Sequence, residues 1–321
     1  MTVIQNTQQL AGPPLAAPTL RRLPEPRAAA ELLKPVTWFP PMWAFACGAV
    51  SAGAAAAAGG RTATPAALAL GVCVAGPLVC GASQAVNDWF DRHVDAVNEP
   101  ARPIPSGRVP GLWGLGVAVA WSALALGAGL LLGPAGAAAT GLALVLAWAY
   151  SAPPARLKAN GWWGNLAVGL SYEGLAWVTG AAVAAGGAIP GPHVVALALL
   201  YSLGAHGIMT LNDFKAVDGD RRFGVRSLPV QLGPGRAARV ACAVMLVPQL
   251  VVVALLARWH APLAGGAVAL LVLAQLVLMR RFLADVTPRT ALIYSAVGVP
   301  FYVLGMMAAA VGLRLAVGGG L

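Results

Sequence analysis

Charge is scarce in this sequence. Asp, Glu, Lys and Arg together make up 10% of the 321 residues, and 11 residues are acidic. So little charge, beside a hydrophobic content of 59%, excludes an ordinary soluble domain and fits a chain that crosses a membrane several times. Cysteine is equally sparse. The 4 cysteines, Cys47, Cys73, Cys80 and Cys242, are scattered through apolar runs without the spacing of a metal site or a disulfide framework, and read as small core residues. No apolar segment follows a basic start, so no signal peptide is expected.

Against that apolar background the acids cluster. Asn87-Asp88-Trp89-Phe90-Asp91-Arg92-His93-Val94-Asp95 closes a long apolar run. At about 100° per residue, Asn87, Asp91 and Asp95 fall within roughly 80° of helical arc and Asp88 close beside them. Like charges four residues apart destabilise a bare helix, and carboxylates beside hydrocarbon are costly. A cation must offset that cost. An all-oxygen donor set with no Cys or His on the same face suits Mg²⁺ rather than zinc, whereas a solvated helix end with scattered charge is the bland alternative.

Nine apolar segments, at approximately 36–58, 64–90, 111–131, 135–153, 163–185, 193–213, 236–257, 261–283 and 290–315, are each long enough to span about 30 Å of hydrocarbon. They predict an all-α membrane protein of nine transmembrane helices. The Pro-rich residues 1–34, carrying Arg21, Arg22, Arg27 and Lys34, are expected to form a flexible basic tail on the cytoplasmic side, and residues 35–321 the membrane domain. Loops then alternate sides. Of the 21 Lys and Arg, only Arg61, Arg258 and Arg314 fall opposite the tail, the asymmetry expected when the basic side is cytoplasmic. The net charge of +10 is therefore topological, and a nucleic-acid partner is not expected.

A second acidic cluster, Asn212-Asp213-Phe214-Lys215-Ala216-Val217-Asp218-Gly219-Asp220-Arg221, ends the sixth segment. If the helix persists through Gly219, Asp213 and Asp220 share a face and Asp218 looks elsewhere. Both clusters end even-numbered segments and so face the same side. The loop after the first holds four prolines within Pro100–Pro110, which stiffen it, and presents Arg102 and Arg108; the loop after the fourth segment presents Arg156 and Lys158. Such cations can clamp a polyanion, or the stretch can be a stiff connector facing lipid headgroups. Two carboxylate helices with basic loops between them can hold Mg²⁺ and a diphosphate together. Deeper, Glu173 in the fifth segment and His206 in the sixth are either functional groups of an acceptor site or hydrogen-bonded core residues.

Asn87-Asp88-x-x-Asp91-x-x-x-Asp95 resembles the first aspartate motif of the UbiA superfamily of intramembrane prenyltransferases. The longer strings NDWFDRHVDAVNEPARPIPSGRVPG, YSAPPARLKANGWWGN and HGIMTLNDFKAVDGDRRFGVRSLPVQLG are similar to its chlorophyll synthase branch. The resemblance covers nearly all of the chain beyond the tail. It implies a UbiA-type bundle of nine helices in a bacterial inner membrane with a cytoplasmic active site. It implies Asn87, Asp88, Asp91, Asp95, Asp213, Asp218 and Asp220 around Mg²⁺, with Asn87, Asp91, Asp95, Asp213 and Asp220 catalytic. Arg102, Arg108, Arg156, Lys158 and Arg221 would bind diphosphate. The superfamily's second motif has two aspartates four apart; here the earlier position is Ala216, and Asp213 stands in for it. The implied substrates are geranylgeranyl or phytyl diphosphate and bacteriochlorophyllide a, esterified on its propionate carboxylate, with photosynthetic assembly proteins as candidate partners. An aromatic-acceptor prenyltransferase acting on 4-hydroxybenzoate or homogentisate and a cation-coupled transporter remain the alternatives.

Overall fold

A computed structural model describes residues 23–52 and 63–318 of the chain. In order, the helices are α1 (Pro26–Leu32), α2 (Phe39–Ser51), α3 (Pro65–Asn98), α4 (Trp113–Leu130), α5 (Gly133–Ser151), α6 (Gly161–Ala184), α7 (Pro192–Asp213), α8 (Val217–Arg222), α9 (Leu228–Leu232), α10 (Pro234–Arg258), α11 (Pro262–Ala284) and α12 (Pro288–Gly318). Each of the nine apolar segments corresponds to one of them. Among the described residues, 8 are long and apolar enough to cross a membrane; the described part of the first segment, α2, has 13 residues, and its continuation lies outside the described residues.

The boundaries follow from local chemistry. Pro26, Pro65, Pro192, Pro234, Pro262 and Pro288 open their helices, where a missing N–H costs nothing and φ is already helical. Thr64 Oγ1 accepts from Ala67 N–H at the start of α3, and Asn160 Oδ1 from Trp162 N–H at the start of α6, each satisfying an otherwise orphaned donor. Two membrane helices depart from α geometry: π-helical turns interrupt α3 at Val74–Cys80, around Pro77, and α6 at Leu170–Leu175.

Lipid tails are as apolar as leucine, so helix association here rests on close packing and interhelical hydrogen bonds. The tightest crossing joins α2 to α6. A Cβ on Gly48 would lie 1.9 Å from Trp177 O and one on Gly180 2.0 Å from Phe45 O, so each backbone occupies the place of the other's side chain. Trp177 Nε1 donates to Ser51 Oγ across the same contact at 3.1 Å. Elsewhere Tyr302 Oη donates to Tyr201 O at 2.6 Å. Gln249 and Gln275, both fully buried, exchange amide hydrogen bonds at 2.9 and 3.2 Å between α10 and α11.

The structure differs from the sequence expectation at two places that matter to the site. Residues 23–34 are not all a loose tail: α1 buries Ala28 and Leu32 against Ala85, Val86, Val109 and Ala118. Residues 1–22 of that tail lie outside the described residues. The sixth helix does not persist through Gly219. It ends at Asp213, a turn follows in which Phe214 packs edge-on against Phe282, and α8 begins afresh at Val217.

Candidate active site

Both acidic clusters open onto one cavity of about 850 Å³, at the ends of α3, α5 and α7 and the start of α6. From α3 it receives Asn87, Asp91 and Asp95, one turn apart as their spacing requires. Asp213 and Asp220 enter from the other side. Although the helix breaks between them, the Phe214–Ala216 turn and the hydrogen bond from Asp220 N–H to Ala216 O at 2.8 Å bring Asp220 back to the rim. Of the expected basic residues, Arg102, Arg156 and Lys158 line it too. The loop carrying Arg156 and Lys158 is fastened by a short parallel bridge, Arg226 N–H donating to Ala159 O at 2.9 Å and Gly161 N–H to Arg226 O at 2.8 Å.

The first cluster's carboxylates are paired with cations. Lys158 Nζ lies 2.6 Å from Asp91 Oδ1 in an ion pair, with side chains 10% and 20% exposed. Arg102 donates Nη1–H to Asp95 Oδ2 at 2.9 Å, and grips Glu99 through Nε and Nη2, both at 2.7 Å. Asn165 Nδ2 donates to Asp213 Oδ2 at 3.2 Å, and Asn87 Nδ2 to Ser151 Oγ at 3.2 Å. Burial pulls the Lys158 ammonium below its ordinary value, with Asp91 partly offsetting it. Burial also acts downward on Arg102, but the Glu99 hydrogen bond and the charges of Asp95, Asp88 and Glu99 outweigh it and raise the guanidinium further. Its hydrogen bonds in turn hold the Glu99 carboxyl low. Burial raises Asp220.

Several expected residues lie elsewhere. Asp88 is 1% exposed and turned away from the cavity toward Lys34, whose Nζ donates to its Oδ1 at 2.6 Å; the helical wheel placed it beside the others, but its extra increment of arc carries it to the flank that α1 covers. Arg108 pairs with Glu31 and donates Nη2–H to Ala101 O at 2.9 Å, fastening the loop to α1 instead of facing the cavity. Asp218 and Arg221, on the outer face of α8, line neither this cavity nor the apolar one beside it. His206 is buried, its ring 5.6 Å from that of Trp162, and it lines neither cavity.

Glu173 belongs to that adjoining, mostly apolar cavity, of about 370 Å³, between α3, α5, α6 and α7. Asn87, Tyr150 and Asn212 line both spaces, so the two meet at the level of the first motif. Sequence reasoning missed Lys215 and Asn212, which face the acidic cavity within the second cluster, and also Asn98, Asn165 and Tyr150. Lys215 and Asn212 were visible inside the motif itself. Asn165, one helix away, carried no signal beyond being a polar residue in an apolar run.

The donor set tests well against Mg²⁺. Beside its basic groups, the cavity presents the carboxylates of Asp91, Asp95, Asp213 and Asp220 and the amides of Asn87 and Asn212, whose oxygens are the ligands that hard cations take. Among the described residues no three His, Cys, Asp or Glu side chains converge closely enough to cage an ion. Mg²⁺ commonly binds through one or two carboxylates together with substrate phosphates.

Comparison with known proteins identifies the family and the fold. A model of the UbiA prenyltransferase family matches residues 45–296. The Bacteriochlorophyll synthase 33 kDa chain of Cereibacter sphaeroides is 55% identical over 92% of this chain and 95% of its own. The protein of the same name from Rhodobacter capsulatus is 52% identical over 93% and 97%. Among solved structures, a UbiA homologue from Archaeoglobus fulgidus bound to GPP and Mg²⁺ superposes with a TM-score of 0.67 at 19% identity, covering 87% of this chain and 99% of that one.

Proposed function

The chain belongs to the UbiA prenyltransferase family, and we propose that it esterifies the propionate carboxylate of bacteriochlorophyllide a with geranylgeranyl or phytyl diphosphate, releasing diphosphate. It is an integral-membrane enzyme of bacteriochlorophyll synthesis, as its similarity to the two bacterial synthases indicates. The observation that carries the reading is the single cavity in which two aspartate clusters and three basic loop residues meet beside an apolar space.

The diphosphate is held by Arg102, Arg156, Lys158 and Lys215, and the prenyl chain enters the apolar cavity past Asn87, Tyr150 and Asn212. As the allylic C–O bond breaks, negative charge grows on the leaving diphosphate. Cations fixed in a partly buried site stabilise that charge more than water would. Asn87, Asp91, Asp95, Asp213 and Asp220 would hold Mg²⁺, which supplies further Lewis-acid stabilisation of the leaving group. The attacking group is the acceptor's carboxylate oxygen, already ionised at neutral pH, so no protein base is required. The apolar walls keep water from the allylic carbon until the ester forms. A bacterial inner membrane with the cavity on the cytoplasmic side accounts for the distribution of Lys and Arg. A transporter would place its cation site near mid-membrane on broken helices; here both clusters stand at helix ends.

The test offers bacteriochlorophyllide a, chlorophyllide a and 4-hydroxybenzoate separately to purified protein in detergent with Mg²⁺ and geranylgeranyl diphosphate, and separates the products. An ester of bacteriochlorophyllide a, lost on chelating Mg²⁺, is expected. Prenylated hydroxybenzoate without pigment ester would refute the acceptor, and no product from folded protein would refute the transferase.

A further inference from the structure

One acid of the first motif is diverted from the cavity. Asp88 Oδ1 accepts from Lys34 Nζ at 2.6 Å and from Arg102 Nη1 at 3.4 Å. The same Nη1 lies 2.9 Å from Asp95 at the cavity wall. Arg102 is therefore shared between a carboxylate inside the cavity and one behind it, and Lys34 supplies the charge that lets Asp88 share. Lys34 is placed for this by strained backbone: its φ of 43° is in the left-handed region, directly before Pro35. Such a conformation in a non-glycine residue persists only where its surroundings over-determine it. Here they do. Helix α1 is packed on α3, Arg108 pairs with Glu31, and Glu25 N–H donates to Arg108 O at 3.1 Å, so the segment before Lys34 is tied to the loop that carries Arg102.

We propose that Lys34 is a positioning residue for prenyl diphosphate binding: by neutralising Asp88 it keeps Arg102 at the cavity wall, and Asp88 is the anchor of this brace rather than a metal ligand. The physical reason is charge balance in a nearly buried place. Without the Lys34 ammonium, the buried Asp88 carboxylate has Arg102 as its remaining cation, and an uncompensated buried charge is costly enough to move a mobile partner. The guanidinium then retreats from Asp95 and from the space the diphosphate occupies. This rests on the transferase reading, and the assay separates the two.

The test measures geranylgeranyl diphosphate binding with Mg²⁺, and turnover, in wild type, Lys34→Met, Lys34→Arg, Asp88→Asn and the Lys34→Met/Asp88→Asn double variant. Lys34→Met is expected to weaken prenyl diphosphate binding and raise its KM by about tenfold, with acceptor KM unchanged. Lys34→Arg stays near wild type. The double variant recovers most of the loss, because a neutral amide in place of the Asp88 carboxylate no longer draws Arg102 inward; a merely structural lesion would lower Tm and impair acceptor and diphosphate binding together, whereas loss of positioning raises the diphosphate KM alone. Asp88→Asn alone keeps turnover within about tenfold of wild type, and it decides the matter if Lys34→Met does not fold. Unchanged binding in Lys34→Met, a double variant no better than Lys34→Met, or a thousandfold loss in Asp88→Asn each overturns the proposal. Wild type that binds the diphosphate without transferring the chain refutes the transferase and leaves this comparison standing.

Discussion

The Lys158–Asp91 pair predicts an asymmetry between stability and catalysis. The two groups are 2.6 Å apart, but Lys158 is 10% exposed and Asp91 20%. Asp91→Asn leaves the more deeply buried partner as an ammonium without its anion. Breaking a buried pair by removing one partner costs about 3–5 kcal/mol, and the residual exposure here puts the loss near the lower figure. At roughly 2–4 °C per kcal/mol for a chain of this size, that is a fall of about 6–12 °C in Tm. Lys158→Met leaves the carboxylate, whose greater access to water makes its loss smaller than that of Asp91→Asn. For turnover Lys158→Met is not the mild variant. A fixed cation facing developing charge is worth about 10²–10³ in kcat. Thermal unfolding followed by tryptophan fluorescence in detergent, beside steady-state kinetics, measures both. A Lys158→Met protein that unfolds earlier than Asp91→Asn, or that keeps kcat within tenfold, would refute the charge-balance reasoning.

Other expectations follow from the same geometry. Asp95→Ala and Asp213→Ala should each lower turnover by at least about 10³ while the protein remains folded by gel filtration; retained turnover would remove the altered residue from the site. Chelating Mg²⁺ should abolish product formation, and restoring Mg²⁺ should recover it, yet substrate-free protein should unfold at nearly the same temperature with and without chelator. Its Asp91 and Asp95 already have side-chain cations as partners, so a large fall in Tm would reveal a caged structural ion. At the α2–α6 crossing, Gly180→Ala would put a methyl 2.0 Å from Phe45 O and should prevent folding, whereas Gly191→Ala, with open space around its Cβ position, should leave yield and Tm unchanged.

The bundle was legible because membrane helices announce themselves twice, by apolar length and by the prolines that start them. The apolar segments expected at 193–213, 236–257 and 261–283 became Pro192–Asp213, Pro234–Arg258 and Pro262–Ala284. The convergence of the two acidic clusters was also legible, from the parity of the segments they end. Within the clusters, a wheel could not say which side of α3 another element would cover. Asp88 lies only one residue from Asn87, and its assignment turned on α1, a 7-residue helix whose sequence reads as a Pro-rich tail. The end of α7 at Asp213 was hidden for a related reason: Phe214 leaves the helix to pack on Phe282, a partner nearly seventy residues away. The π turn that carries Glu173 depends on i→i+5 bonding that no residue pattern specifies.

These particulars bear on why the site has as many cations as it does. Carboxylates beside hydrocarbon need compensation whether or not substrate is present. Asp91, Asp95 and Asp88 each have it from Lys158, Arg102 and Lys34. Two of those cations, Lys158 and Arg102, also face the cavity, where a diphosphate would compete for them; the third faces away and is bound to the one acid that leaves the cavity. The arrangement thus separates two duties that the motif alone merges. Asp91 and Asp95 are paired with groups that can turn to a ligand, and Asp88 is paired with one held in place by backbone and by α1. An acidic motif of this kind should accordingly be read with its basic neighbours, because the partner of each aspartate distinguishes a position open to ligand from one committed to the scaffold.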